Sequence, residues 1–300
     1  MEEKAVPEFL AEKLVSQYGS EIFTRIVQGY KAERLVTLRV NTIKSDSQEV
    51  KKSLKSNHIL FRTVPWYENA LIVENARENA VRELEIYKQG KIYLQSLSSM
   101  IPPIVLGPEE NECILDMAAA PGGKTTEIAA LSHNKAQITA CEKNKIRAER
   151  LKYNIEKQGA HAFVMVEDAR KMDDFFSFDK ILLDAPCSGS GTISLFDEKL
   201  EKRISEELVE RSAKTQQAML NKAIKLLKPH HELVYSTCSV LEQENENIIN
   251  FALSKGNVEL VPIEQDFEGI TMLPAKLKGT VCVCPNELYE GFFVAKLRKK

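Results

Sequence analysis

The chain of 300 residues has no apolar run near the roughly 18 residues that a membrane-crossing helix needs. Its six cysteines, Cys113, Cys141, Cys187, Cys238, Cys282 and Cys284, form no CxxC pair, so the paired spacing of a structural zinc site is missing. A net charge of −2 excludes a bulk polycation. Any binding of nucleic acid must then use local patches. Residues 1–7 begin acidic and lack an apolar stretch, so no secretory signal is read there and a cytoplasmic location is expected. Internal repeats and low-complexity tracts are also missing. With 43% apolar and 28% charged residues, the chain reads as ordinary globular protein.

The pattern changes near residue 110. Before it, two helices are expected in the first 30 residues, with Gly19 ending one and Ser20 opening the next. A strand at 35–40, a Lys-rich helix at 46–56, short strands near 59–64, 70–74 and 91–94, and a helix near 79–89 follow. A further helix from Gln95 to Leu106 would cross to the next part. Residues 1–107 therefore read as a small α+β domain with a linker helix.

Beyond it, strands at 112–116, 136–141, 162–166, 179–184 and 231–236 alternate with helices at 122–132, 144–158, 199–227 (broken) and 242–253. Such alternation predicts βαβ units and a parallel sheet covered on both faces. Residues 108–300 thus form an α/β, Rossmann-like domain, ending in a β-rich tail. In such sheets, ligands sit beyond the carboxyl ends of the strands.

Several of those strand ends carry chemistry. Ile181-Leu182-Leu183-Asp184 runs into Ala185-Pro186-Cys187-Ser188-Gly189, and Leu233-Val234-Tyr235-Ser236 into Thr237-Cys238-Ser239. Two thiols at two strand ends, with an acid before the first, suggest thiol chemistry in one cleft. The first strand leads through Ala118-Ala119-Ala120-Pro121-Gly122-Gly123-Lys124-Thr125, a small-residue turn and helix start that lets a ligand approach backbone closely. A P-loop would need Gly where Ala118 stands. The next strands end in Glu142 and Asp168, acids suited to a ribose hydroxyl pair and an adenine amino group. Acids on successive strand ends describe a neutral nucleoside pocket, and S-adenosylmethionine fits it. Strand-end acids also cap helices, and Asp168 can do both. Cys113, Cys141, Cys282 and Cys284 read as structural.

These segments, with Leu38-Arg39-Val40-Asn41-Thr42, Gln95-Ser96-Leu97-Ser98-Ser99, Glu244-Asn245-Glu246 and Gly291-Phe292-Phe293-Val294-Ala295, resemble the Sun/Fmu-type family of RNA 5-methylcytosine methyltransferases, from about residue 35 to the C-terminus. The chain departs from that family in having His230-His231 where Gly-Gly is common and Glu142 where Asp is common. The resemblance implies a class I methyltransferase fold and a donor pocket formed by residues 118–124, Glu142, Arg147, Asp168 and Asp184. It implies Cys238 as nucleophile and Cys187 as an aid to product release. The substrate would be a cytidine in ribosomal or transfer RNA and the protein a monomer.

The chemistry explains the residue types. Carbon 5 of cytosine is a poor nucleophile, and a thiolate added at carbon 6 makes it an enamine carbon. Asp184 can hold the amino edge or, protonated, donate at ring nitrogen 3. The small domain, with Lys51, Lys52 and Lys55, and helix residues Lys143, Lys145, Arg147, Arg150 and Lys152 are candidates to grip RNA, although a solvated helix face explains several of them equally well. Amino-group methylation would want an aromatic ring after the Pro, and Ala185-Pro186-Cys187 has none. The remaining alternative is a catalytically idle RNA-binding or ribosome-assembly factor on the same fold.

Overall fold

The computed structural model describes residues 3–300, so Met1 and Glu2 of the N-terminal reading lie outside the described residues. The chain begins with helix α1 (Glu8–Lys31), kinked at Gly19, whose φ of 79° is non-helical. Strand β1 (Val36–Val40), helix α2 (Ser47–Ser56), strands β2 (Phe61–Val64) and β3 (Tyr67–Val73), helices α3 (Glu78–Glu83) and α4 (Glu85–Lys88) and strand β4 (Ile92–Leu94) follow. The strands pair antiparallel in the order β2-β3-β1-β4. Asp46 caps α2 by accepting from the Gln48 and Glu49 amides. Val50 and Leu54 of α2 and Val81 of α3 pack with Leu38, Val40 and Leu71 of the sheet.

Helix α5 (Leu97–Leu106) leads to the larger sheet. Its parallel part is β5 (Cys113–Asp116), α6 (Gly123–Leu131), β6 (Gln137–Cys141), α7 (Lys145–Gln158), β7 (Ala162–Met165), β8 (Phe178–Asp184), α8 (Leu200–Arg203), α9 (Glu206–Leu226) and β9 (Leu227–Thr237). Helix α10 (Glu246–Ser254) and strands β10 (Val258–Val261), β11 (Val281–Val283) and β12 (Phe292–Lys299) complete the chain. The strand order is β10-β12-β9-β8-β5-β6-β7, with β11 also on β12. β12 runs antiparallel to β9. The order reverses between β5 and β8, the switch point where a crevice opens at the carboxyl edge.

Two elements begin four residues away from the sequence reading. β9 begins at Leu227 rather than 231, because its pairing with β8 skips from Leu227 to Glu232 and leaves Pro229, which has no N–H to donate, outside the ladder. α10 begins at Glu246, since residues 242–245 are tied into a turn instead. Cys113 is half-buried, whereas Cys141, Cys282 and Cys284 are buried. A further difference is one of packing. Helix α1, which the sequence groups with the small sheet, buries Leu10, Leu14, Ile26 and Tyr30 in the core of the large one. Among the described residues, no helix is long and apolar enough to cross a membrane.

Candidate active site

Strands β8 and β9 lie side by side and pair Asp184 with Ser236. Both chains then turn away from the sheet, which brings the Cys187 and Cys238 sulfurs to 3.1 Å. Two features hold this arrangement. Gly191 and Gly291 cross so closely that a Cβ on Gly191 would lie 2.0 Å from the Gly291 carbonyl oxygen. The Gly191 amide also donates to the Cys238 carbonyl at 3.0 Å. Buried Glu244 accepts from the Ser188 amide at 2.7 Å, the Ser188 hydroxyl at 2.5 Å and the Gln216 amide group at 3.2 Å. Neighbouring Asn245 accepts from the Thr237 hydroxyl and donates to the Ser239 carbonyl. Helix α1 adds a clamp. Tyr30 donates to the Ser190 carbonyl at 2.6 Å, and Gln17 and Tyr18 both donate to that of Val240.

The Cys187 thiol is pushed well above its usual range by its hydrogen bond with Cys238 and by burial. It therefore keeps its proton at neutral pH, and either sulfur can be the donor in the pair. Asp184 accepts from the Ser236 hydroxyl at 2.8 Å on one oxygen and from the Lys124 ammonium at 2.7 Å on the other. Lys124 also donates to the Ser99 hydroxyl at 2.7 Å. Burial pulls the Lys124 ammonium down, but the charge and hydrogen bond of Asp184 outweigh it and the net shift is upward. The group stays charged.

A cavity of about 200 Å³ opens against this ion pair, lined by Ala118, Ala119, Ala120, Pro121, Gly123, Lys124 and Asp184. Tyr93, Gln95, Ser99 and Asp116 close it. Asp116 was not singled out in the sequence, although it ends β5 as Asp184 ends β8. Its Oδ2 accepts from the Thr125 hydroxyl at 2.7 Å, and its Oδ1 is buried without a partner. Burial pushes its carboxyl up to about 6, against the opposing pull of Thr125 and Lys124. Gly122 is not among the lining residues. It sits behind the turn at φ 109°, a conformation natural to glycine, where a Cβ would be 3.0 Å from the Leu151 side chain.

A second, narrower cavity shares Ala118 and continues past Glu142, Arg147 and Asp168 to Pro186. Glu142, 3% exposed, accepts from the Asn144 amide at 2.8 Å and lies 3.4 Å from Arg147. Arg147 also donates to the Ala120 carbonyl at 2.8 Å, so it ties the β5 turn to the β6 acid. Asp168 caps the short turn Ala169–Lys171 and is gripped by the Arg170 guanidinium, which holds its carboxyl down at about 2. Both of its oxygens thus have partners within the chain. The structure places the sequence-predicted thiols and donor-pocket residues along one carboxyl edge, with Gly122 behind the turn. Ser236 and Asp116 have no role assigned from the sequence, and Glu244 enters there only within a motif shared with the family. Among the described residues, no cluster of His, Cys, Asp and Glu is arranged to hold a metal ion.

Comparison with known proteins agrees with this geometry. A family model described as "16S rRNA methyltransferase RsmB/F" matches residues 103–298, and "Methyltr_RsmF/B-like, ferredoxin-like domain" matches residues 6–79. The chain is 35% identical over 272 residues to ribosomal RNA small subunit methyltransferase F of a Shewanella species, covering 88% of this chain and 56% of the relative. It is 34% identical over 307 residues to the 28S rRNA (cytosine-C(5))-methyltransferase of Mus musculus, covering 97% of this chain and 38% of the relative. The chain thus spans about half the length of these curated relatives or less. The crystal structure of NSun6 from Pyrococcus horikoshii with SFG superposes with a TM-score of 0.86 at 26% identity, over 98% of both chains. The fold is that of class I methyltransferases with a small N-terminal domain, and the chain belongs to the 16S rRNA methyltransferase RsmB/F family.

Proposed function

We propose that this chain transfers a methyl group from S-adenosylmethionine to carbon 5 of a cytidine in ribosomal RNA, through a transient bond between Cys238 and carbon 6. The contact of the two thiols beside the Asp184–Lys124 pair carries this reading. The names of the relatives support it, one an rRNA small subunit methyltransferase and the other an rRNA (cytosine-C(5))-methyltransferase. So does the structural neighbour determined with SFG, an analogue of S-adenosylmethionine.

The residues present fit that donor. Asp116 has a buried oxygen without a partner, in a cavity with small-residue walls, and such an oxygen suits the donor's ammonium. Glu142, buried beside the second cavity, is an acceptor for ribose hydroxyls. Asp168 accepts from the adenine amino group only on lone pairs that Arg170 leaves free. The donor supplies a methyl group on a positively charged sulfur, which carbon 5 of cytosine accepts.

The chain's own groups do the rest. In this reading Cys187 holds the proton between the two sulfurs and Cys238 attacks. Its electron pair forms the bond to carbon 6, and the carbon 5–carbon 6 pair becomes available at carbon 5. Asp184, with donors on both oxygens, acts as a carboxylate and accepts from the cytosine amino group rather than donating at nitrogen 3. Lys124 presents its charge to electron density pushed into the ring. After transfer, carbon 5 carries both a methyl group and a proton. As the carbon–sulfur bond breaks, Cys187 gives its proton to the departing Cys238 sulfur and takes the carbon 5 proton in exchange. The double bond returns, and one proton leaves to solvent before the next turnover.

The direct test is nucleoside mass spectrometry of unmodified ribosomal and transfer RNA after incubation with this protein and labelled donor. Label in 5-methylcytidine from ribosomal RNA is expected. Label in any other nucleoside, or none with either RNA, would overturn the reading, and label from transfer RNA alone would move the substrate.

A further inference from the structure

Helix α7 carries an unusual exposed stripe. Ile146, Arg150, Tyr153 and Lys157 stand at i, i+4, i+7 and i+11, one face of the helix. Ile146 is 81% and Tyr153 61% exposed, on a helix whose opposite face buries Ala148, Leu151 and Ile155. The far half of the stripe forms one wall of a groove of about 520 Å³, and the small domain supplies the other through Arg82, Tyr87 and Tyr93. The groove reaches Tyr93, Leu94 and Pro121, which also line the cavity at Lys124 and Asp184.

Its walls hold three tyrosines and three cations, and no carboxylate lines it among the described residues. Arg82 is paired with Glu78 at 3.0 Å. Arg150 and Lys157 have no ion pair among the described residues. Lys157 instead lies 3.6 Å from the centre of the Tyr87 ring, and burial and the charge of Arg82 both pull its ammonium down. Cations held together without acids form an anion site, and an exposed ring between them offers a flat apolar face.

We propose that this groove binds the nucleotide next to the target cytidine in a single-stranded RNA, with its base on Tyr153 and its phosphates on Arg150 and Lys157. The proposal rests on the reading of the chain as an RNA methyltransferase and adds a path for the strand. Aromatic faces spaced among cations are how unpaired strands are held without sequence readout. A base drawn into the cavity at Asp184 leaves its neighbours unstacked, and this groove shares three wall residues with that cavity. The groove lies between α7 and the small domain, so both parts of the chain grip the same strand.

The test uses the full chain and a fluorescein-labelled oligoribonucleotide of about a dozen nucleotides with one cytidine, followed by anisotropy at several salt concentrations. Tyr153→Ala should weaken binding about tenfold, and Tyr153→Phe should restore it, because a stacking face needs no hydroxyl. Arg150→Gln with Lys157→Gln should lower the slope of log affinity against log salt by about 0.7 for each phosphate no longer neutralised. Calorimetric affinity for S-adenosylmethionine should stay unchanged in all three. Wild-type RNA affinity and salt slope in Tyr153→Ala and in the double variant would overturn the proposal, as would absence of oligonucleotide binding by the wild-type chain. Equal loss of donor affinity would also overturn it, since that marks a distorted domain. Binding of a peptide or protein partner with RNA affinity intact would reassign the groove. The methyl-transfer reading fails separately, if RNA binds in this groove but no 5-methylcytidine forms.

Discussion

At 3.1 Å the Cys187 and Cys238 sulfurs can share one proton, and in the proposed mechanism Cys187 holds it while Cys238 attacks. Cys187→Ala should therefore still form the bond to RNA and fail to break it, leaving an adduct that survives a denaturing gel. Cys238→Ala should form none. A stable adduct in Cys238→Ala that is missing from Cys187→Ala would exchange the two roles. Asp116 supplies a prediction in pH. Its folded carboxyl titrates near 6, above the ordinary value of 3.8. For folding alone, the associated stability is fully present below about 3.8 and lost as pH rises through about 6. For the cationic donor the sign is opposite, because pairing needs the carboxylate. Calorimetry should show donor affinity falling toward about tenfold per pH unit below 6. Asp116→Asn should bind weakly and with little pH dependence over that window. An unchanged profile in Asp116→Asn would remove this acid from the donor site. Asp116 was legible as a strand-end acid, but only its unpartnered oxygen in a cavity distinguishes it from a helix-capping one.

Elements explain why the two sulfurs meet at all. The sequence announces β8 and β9 through short apolar runs and the turns that follow, because strand period and turn chemistry are local. It also places Glu142, Asp168 and Asp184 at strand ends for the same reason. The crossing of Gly191 over Gly291 joins points 100 positions apart. No local pattern marks such a pair. A methyl group there meets backbone, which cannot move aside as a side chain can. Gly191→Ala should cost about 3 kcal/mol by overpacking and part the thiols. Urea unfolding measures the first effect and adduct formation the second. Wild-type values for both would show that the crossing has room to relax. The pairing of Asp168 with Arg170 was likewise hidden, since the sequence shows two nearby charges of opposite sign but not whether they face each other.

In the whole molecule, α1 is placed by packing rather than by position in the chain. The sequence shows its apolar face but not that the face is covered by the large sheet. Its Leu10, Leu14, Ile26 and Tyr30 enter the large core, and Gln17, Tyr18 and Tyr30 fix the carbonyls of both thiol-bearing loops. Removing residues 3–31 would delete four buried side chains that contribute about 1.5–3 kcal/mol each and uncover the core face they pack on, against a typical total stability of about 5–15 kcal/mol. The shortened chain should not fold to a cooperative thermal transition. A sharp transition with donor affinity intact would make α1 dispensable. The central claim, that Cys238 attacks carbon 6 of a cytidine, is tested most directly with ribosomal RNA carrying 5-fluorocytidine. Fluorine cannot leave carbon 5 as a proton does, so the bond to sulfur cannot be released after methyl transfer. Mass spectrometry of the wild-type protein after incubation with this RNA and S-adenosylmethionine should find a methylated fluorocytidine attached to Cys238. An adduct on Cys187, or no adduct while unsubstituted RNA still gains 5-methylcytidine, would contradict the account.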